Sequence, residues 1–409
     1  MKQSMKNKLV ALFGSAVVAA FACAPANAAI KLGGNNGWEV DYGGFINLFY
    51  NQVNFNYNGG TSENSSHLNE GLLPAFHTLT AKSPEVDGLK GTAQITFAVD
   101  SSSNKDGRLN KAGVFNTGST IDMREVFFNV SGDFGTVSAG RTLALFQRQA
   151  ILKDMTLFGV GALAGPDGGG TALGRIGFGY VYPDFRTRFT YKTPDINGFN
   201  LEVGIFDPQE PIGQAAMWET DTPQFQAEAT YTTKYQGGKF NLWAGGLWQE
   251  ETNKILTGKP KVTSAGFNVG ADVAFQGFDI VGSYYYGKAL GTLLFNAGAG
   301  NGFLCGSISC DEATNEGYYV QGTYTFNGKT KVGVSWGVSR QDAIKAGKVA
   351  ALGAAAGSGQ GITNQLLTVG VYHDVNSWLK VVAEYNTYRS NHQLGFKADG
   401  FSVGGFILW

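Results

Sequence analysis

The chain has 409 residues, 59 of them Gly, with 13% aromatic and only 15% charged side chains. Ordinary domains carry about 7% Gly and about 25% charge, so this chain is too aromatic for a disordered tail, and it lacks the strict glycine repeat of collagen. Thirty-one Lys and Arg against 32 Asp and Glu give a net charge of −1, which leaves no basic surplus for nucleic acid.

At the amino terminus, Lys2, Lys6 and Lys8 precede an apolar stretch from Leu9 to Ala22, and Ala26-Asn27-Ala28 supplies a small-x-small cleavage pattern. This predicts a signal peptide over 1–28, with 29–409 as the exported chain. The stretch is short for a membrane anchor of ~20 residues. A lipoprotein site at Cys23 would place Ala20 where a larger aliphatic residue is usual. No later run of 18 apolar residues predicts a spanning helix. Two classes remain, a soluble exported protein and a membrane β-barrel, the one other fold that satisfies every backbone group in lipid.

Apolar residues then recur with a period of two. Leu89, Gly91, Ala93, Ile95, Phe97 and Val99 alternate with Lys90, Thr92, Gln94, Thr96, Ala98 and Asp100. The same holds for Phe225–Thr232, Gly266–Phe275 and Lys331–Ser339. Such segments are strands with one apolar and one polar face. The apolar face points inward in a sandwich and outward in a membrane barrel, so alternation alone does not separate the two.

The connections do. Short turns are predicted near Pro84–Gly88, Gly132–Gly135, Pro194–Gly198, Gln236–Gly238, Gln276–Gly277, Asn327–Gly328 and Asp374–Ser377. Longer polar or Gly-rich stretches lie near 52–71, 101–119, 143–171, 208–223, 251–262, 290–315, 342–362 and 391–397. Seven turns alternating with eight loops give 16 strands, and segregated loop length is the asymmetry of an outer-membrane barrel. Trp38, Tyr42, Tyr284–Tyr286, Tyr385 and Tyr388 sit near strand ends, where they suit a headgroup girdle, although ordinary aromatic strand content accounts for any single one equally well. The final run, Phe401-x-Val403-x-Gly405-x-Ile407-x-Trp409, carries an apolar strand to the last residue.

Cys305 and Cys310 share the 290–315 loop, and two cysteines five apart in an exported protein are expected to pair. His67, His77, His373 and His392 fall in no metal-ligand spacing. Neither Gly33-Gly34 nor Gly168–Gly170 completes a phosphate-loop motif. No enzyme activity, metal or cofactor is expected.

Three runs resemble the general trimeric porins of Gram-negative outer membranes. Arg124-Glu-Val-Phe-Phe-Asn-Val-Ser-Gly-Asp-Phe-Gly-Thr-Val-Ser-Ala-Gly-Arg141 is similar to the hairpin ahead of their constriction loop. Gly174-Arg175-Ile176-Gly177 resembles the strand returning from it, and Tyr191-Lys-Thr-Pro-Asp-Ile-Asn-Gly-Phe199 resembles their Tyr-x-Ser/Thr-Pro turn. The resemblance covers essentially the whole exported chain. It implies short periplasmic turns, long external loops and a third loop, roughly Thr142 to Gly170, folded into the lumen. It also implies a homotrimer in the outer membrane, in contact with lipid and lipopolysaccharide, inserted by machinery that reads the terminal Trp409.

By the same resemblance, Arg141 and Arg175 form a basic wall, joined by Lys90 through its inward parity. Asp154 and Asp167 are the opposing acids of loop three, which also carries Arg148 and Lys153. The parity of Val126, Phe128 and Val130 puts Arg124 outward, at an interface. The competing reading of each charge is a solvated wall residue. The function expected is passive diffusion of small hydrophilic solutes and ions. The alternatives are a solute-specific porin and an adhesin or receptor barrel acting through its exposed loops.

Overall fold

The structure, a computed structural model, describes residues 29–100, 120–163, 165, 170–211, 217–293, 302–306, 308–344, 361–391 and 395–409. The proposed signal peptide lies outside these residues.

Sixteen antiparallel wall strands form one closed sheet. The first, Glu39–Tyr57, pairs with its successor on one side and with the last strand, Phe396–Leu408, on the other. Register runs from Phe45 opposite Leu408 to Tyr57 opposite Phe396. Closure leaves no unpaired edge, which hydrocarbon would not tolerate. Trp409 continues the seam: its N–H donates to the Gly44 carbonyl at 3.0 Å, and its ring lies 5.6 Å from Tyr42 and 5.4 Å from His77.

The two faces of the wall settle which way the alternation points. Ile95, Phe128, Phe189, Ile205 and Val320 face outward and are exposed. Thr96, Asn129, Thr190, Gln226, Gln321 and Thr368 face inward and are buried. An apolar exterior around a polar interior is the reverse of a sandwich core and suits a lipid-facing barrel.

Several expected loops are sheet instead. The 52–71 region is a tight hairpin between Glu39–Tyr57 and Ser62–Asn69. Strands Gly238–Asn253 and Lys261–Phe275 leave only a brief connection within 251–262. The polar residues of these stretches read as loop, but cross-strand pairing does not require an apolar face. The second wall strand is broken into Ser62–Asn69 and Ala75–Lys82, and at the break the N–H of Leu72 donates to the carbonyl of Gly159 at 2.8 Å.

That contact introduces the long connection between Gly135–Leu143 and Phe185–Lys192. It holds a short helix, Arg148–Lys153, and a 3-10 turn, Met155–Phe158. It is the least exposed part of the described chain: Ala144, Leu145, Phe146, Ala150, Val160 and Ala162 are fully buried. Gly161 (φ 63°) and Gly174 (φ 55°) cross so closely that a Cβ on Gly161 would lie 2.4 Å from the Gly174 carbonyl oxygen.

Candidate pore lining

The described parts of the 144–184 connection, residues 144–163, 165 and 170–184, are fastened to inward-facing side chains of many strands. Near its start, the N–H groups of Leu145 and Phe146 donate to Gln226 Oε1 at 2.9 and 2.8 Å. Arg148 then bridges Glu202 at 2.7 Å and Glu228 at 2.6 Å, and Lys153 pairs with Asp272. Tyr319 donates to the carbonyl of Ala150 at 2.8 Å, and Gln321 accepts from the N–H of Met155 at 2.9 Å. Further on, Glu384 accepts from the N–H groups of Val160 at 3.1 Å and Gly161 at 2.8 Å, and from the Tyr372 hydroxyl at 2.7 Å. The strands involved run from Phe199–Phe206 to Leu379–Ser390.

Asp154 sits at the junction of the helix and the 3-10 turn. Its carboxylate accepts from the N–H and hydroxyl of Thr156 at 2.9 and 2.7 Å and from Tyr180 at 2.8 Å. Arg175 Nε lies 3.6 Å from the same carboxylate. The Arg175 guanidinium donates to the carbonyls of Ser335 at 2.8 Å and Leu366 at 3.1 Å. Both side chains are 0% exposed. Burial pulls the Arg175 pKa down while Asp154 pushes it up; burial and Asp154 together hold the Tyr180 hydroxyl well above its usual range. Arg175 and Asp154 therefore meet in a sealed fastening, instead of facing each other across open water as the resemblance implies. Arg175 also lies within the long connection and not on the returning strand, which begins at Phe185.

The other expected site residues separate. Arg141 pairs in register with Val126 and Thr187, on the face shared with the exposed Phe128 and Phe189, so it points away from the lumen. The inward partner at that level is Arg188, whose guanidinium donates to the Leu143 carbonyl at 2.6 Å. Lys90 keeps inward parity, but it stands at the short-turn end of its strand, exposed and paired with Glu85 at 2.9 Å. Asp167 lies outside the described residues. Cys305 and Cys310 form a disulfide joining the paired strands Phe303–Cys305 and Cys310–Glu312.

Arg124 is displaced by a β-bulge. Register shifts between Thr96 and Phe97, which oppose Glu125 and Met123, and this leaves Arg124 unpaired in the ladder. The parity of Val126 and Phe128 does not carry through such an insertion. Arg124 bonds Asp122 at 2.5 Å and lies 5.1 Å over the buried Phe185 ring, beside the end of the segment. The outward interface expected for it does not hold.

The charges that do converge are Glu125, Arg148, Arg188, Glu202 and Glu228. Glu125 accepts from Gln94 at 2.8 Å, Thr96 at 3.0 Å and Thr142 at 2.6 Å. Arg188 stands 3.6 Å from Glu202. Burial opposes the charge on Arg148, but Glu202 and Glu228 outweigh it and raise its pKa above that of a free arginine. The sequence signal for Glu202, Glu228 and Arg188 was a charge on the polar face of an alternating strand. What they bond to was not visible there.

The sequence profile of the Gram-negative porin family matches residues 14–393. The chain belongs to the Gram-negative porin family. This porin is an outer-membrane channel and not an enzyme. No curated protein matches it in sequence. Its fold is similar to that of the outer membrane channel DcaP of Acinetobacter baumannii, with TM-score 0.66 and 14% identity over 93% of this chain and 100% of that one. An anion-selective porin from Comamonas acidovorans gives TM-score 0.60 and 16% identity over 91% and 100%. The trimer form of OmpT from Vibrio cholerae gives TM-score 0.51 and 16% identity over 91% and 100%.

Proposed function

We propose that this porin passes small hydrophilic solutes and ions by diffusion, and that the described parts of the 144–184 segment lie in its lumen and narrow it. The observation that carries this reading is the set of bonds from the segment to inward side chains between Gln226 and Glu384. A barrel that only displays its external loops would have no use for so many fastenings on its inner wall. At the narrowed level the mixed charges of Glu125, Arg148, Arg188, Glu202 and Glu228 would impose a field on ordered water. Dipolar solutes orient in such a field and apolar ones lose to the water they would displace.

The same reading takes the protein as a homotrimer, the assembly named for the Vibrio cholerae relative. It contacts lipid and lipopolysaccharide through its apolar exterior. The barrel-insertion machinery reads Trp409.

Single-channel recording in planar bilayers tests the proposal. Folded, heat-modifiable protein should insert with three correlated conductance steps. Folded protein that gives no conductance would return the function to the exposed loops.

A further inference from the structure

The lumen is electrically unlike at its two mouths. On strand after strand, an inward position near the short turn is lysine: Lys192, Lys234, Lys239, Lys331 and Lys380. Lys234 stands directly opposite Lys239 in register. Like charges facing across a ladder are destabilising, so the pair costs the barrel stability. Lys239 also lies within electrostatic reach of Lys153 on the segment above, and Lys331 within reach of Lys380. Lys380 is bonded to Asp374. The other four form no ion pair among the described residues. The inward acids of this region are Glu39, Asp41, Asp272, Asp279 and Asp374: Asp41 is taken by Lys82, Asp272 by Lys153 and Asp374 by Lys380, Asp279 lies beside Asp272, and Glu202, opposite Lys192 in register, is taken by Arg148. At the opposite mouth the inward strand charges include Asp100, Asp122, Glu251 and Arg186, and no inward wall lysine occurs among the described residues.

We propose that the short-turn mouth is a binding site for small polyanions, the class with several anionic oxygens on one compact solute, such as a di- or triphosphate. Lysine suits this ligand, since an ammonium on a flexible stem engages phosphate oxygens as a point charge without a fixed approach. Low-dielectric walls strengthen the attraction beyond that of an open surface. The site extends the channel reading, and its primary test does not depend on conduction.

The test is calorimetric titration of inorganic tripolyphosphate into the folded, detergent-solubilised full chain at low ionic strength. Saturable binding is expected. Combining Lys192→Gln, Lys234→Gln, Lys239→Gln and Lys331→Gln should weaken it by roughly tenfold or more, and raised salt should do the same. Outward Lys261→Gln with Lys397→Gln should leave it unchanged. Asp279→Asn, which keeps every lysine, should tighten it. No binding by the wild type, or equal binding by the fourfold variant with its heat-modifiable migration intact, overturns the proposal. In bilayers the same probe should block current when added on the short-turn side alone. Equal block from both sides would overturn the placement, whereas tight binding without any conductance would sink the channel reading and leave this site standing.

Discussion

Where the first and last strands meet, the inner wall offers the segment Phe45, Phe49 and Phe406, whereas between Phe199–Phe206 and Lys261–Phe275 it offers Glu202, Glu228 and Asp272. On the aromatic side, the Phe158 ring lies 6.1 Å from Phe45 and 5.3 Å from Phe406. On the charged side, Arg148 and Lys153 bond the acids directly. Apolar packing is non-directional and excludes water, so the first contact fixes volume. Charge-assisted bonds are directional, so the second fixes where particular atoms sit. One side thus anchors the segment and the other sets its electrostatics, and each can be broken separately.

The largest effect should come from the fastening between the two regions. Arg175→Ala leaves Asp154 buried without its cation, and breaking such a pair costs about 3–5 kcal/mol. The loss should appear as a lower temperature for heat-modifiable unfolding, with noisier channels as the segment loosens. An unchanged transition would mean the pair is dispensable. On the aromatic side, Phe49→Ala should cost about 3 kcal/mol through the cavity it leaves. Its reversal potential in a salt gradient should match wild type, because no charge moves.

The charged side should answer in the opposite way. Glu202→Gln with Glu228→Gln frees Arg148 from both partners. The reversal potential should shift toward anions at low salt, and the shift should fade near 1 M, where the Debye length is ~3 Å. Identical potentials would remove these acids from the conducting path. A smaller effect is expected for the disulfide. Cys305→Ser with Cys310→Ser opens a six-residue loop, worth at most about 2–3 kcal/mol in the entropic account, and should leave insertion and conductance unchanged. Smallest of all, Arg141→Ser should leave the reversal potential where it is, because the side chain faces outward. A clear shift would contradict that register.

The architecture was largely legible in the chain. Strand count, closure and the short-turn pattern follow from period-two alternation, segregated loop lengths and an apolar strand ending at Trp409. Each is a local feature that neighbouring strands repeat. Site residues were legible only where the ladder is regular. Lys90 kept its inward parity, but parity says nothing about height along the barrel. Arg124 was misplaced because one bulge, opposite Thr96 and Phe97, resets the count. Arg141 departs from what the resemblance at Gly140-Arg141 implies, because the alternation running through Val137 and Ala139 puts it on the outward face.

By itself the sequence determined a membrane barrel of sixteen strands, the paired cysteines and a long connection after Leu143, since hydrophobic period and turn chemistry act over a few residues. Only the tertiary structure decided which charges meet. Arg148 reaches Glu202 and Glu228, and Arg175 reaches Ser335 and Leu366, across separations of 54 to 191 residues. Contacts of that range depend on closing the barrel and on where the segment lies against its wall, and no local pattern of residues encodes them.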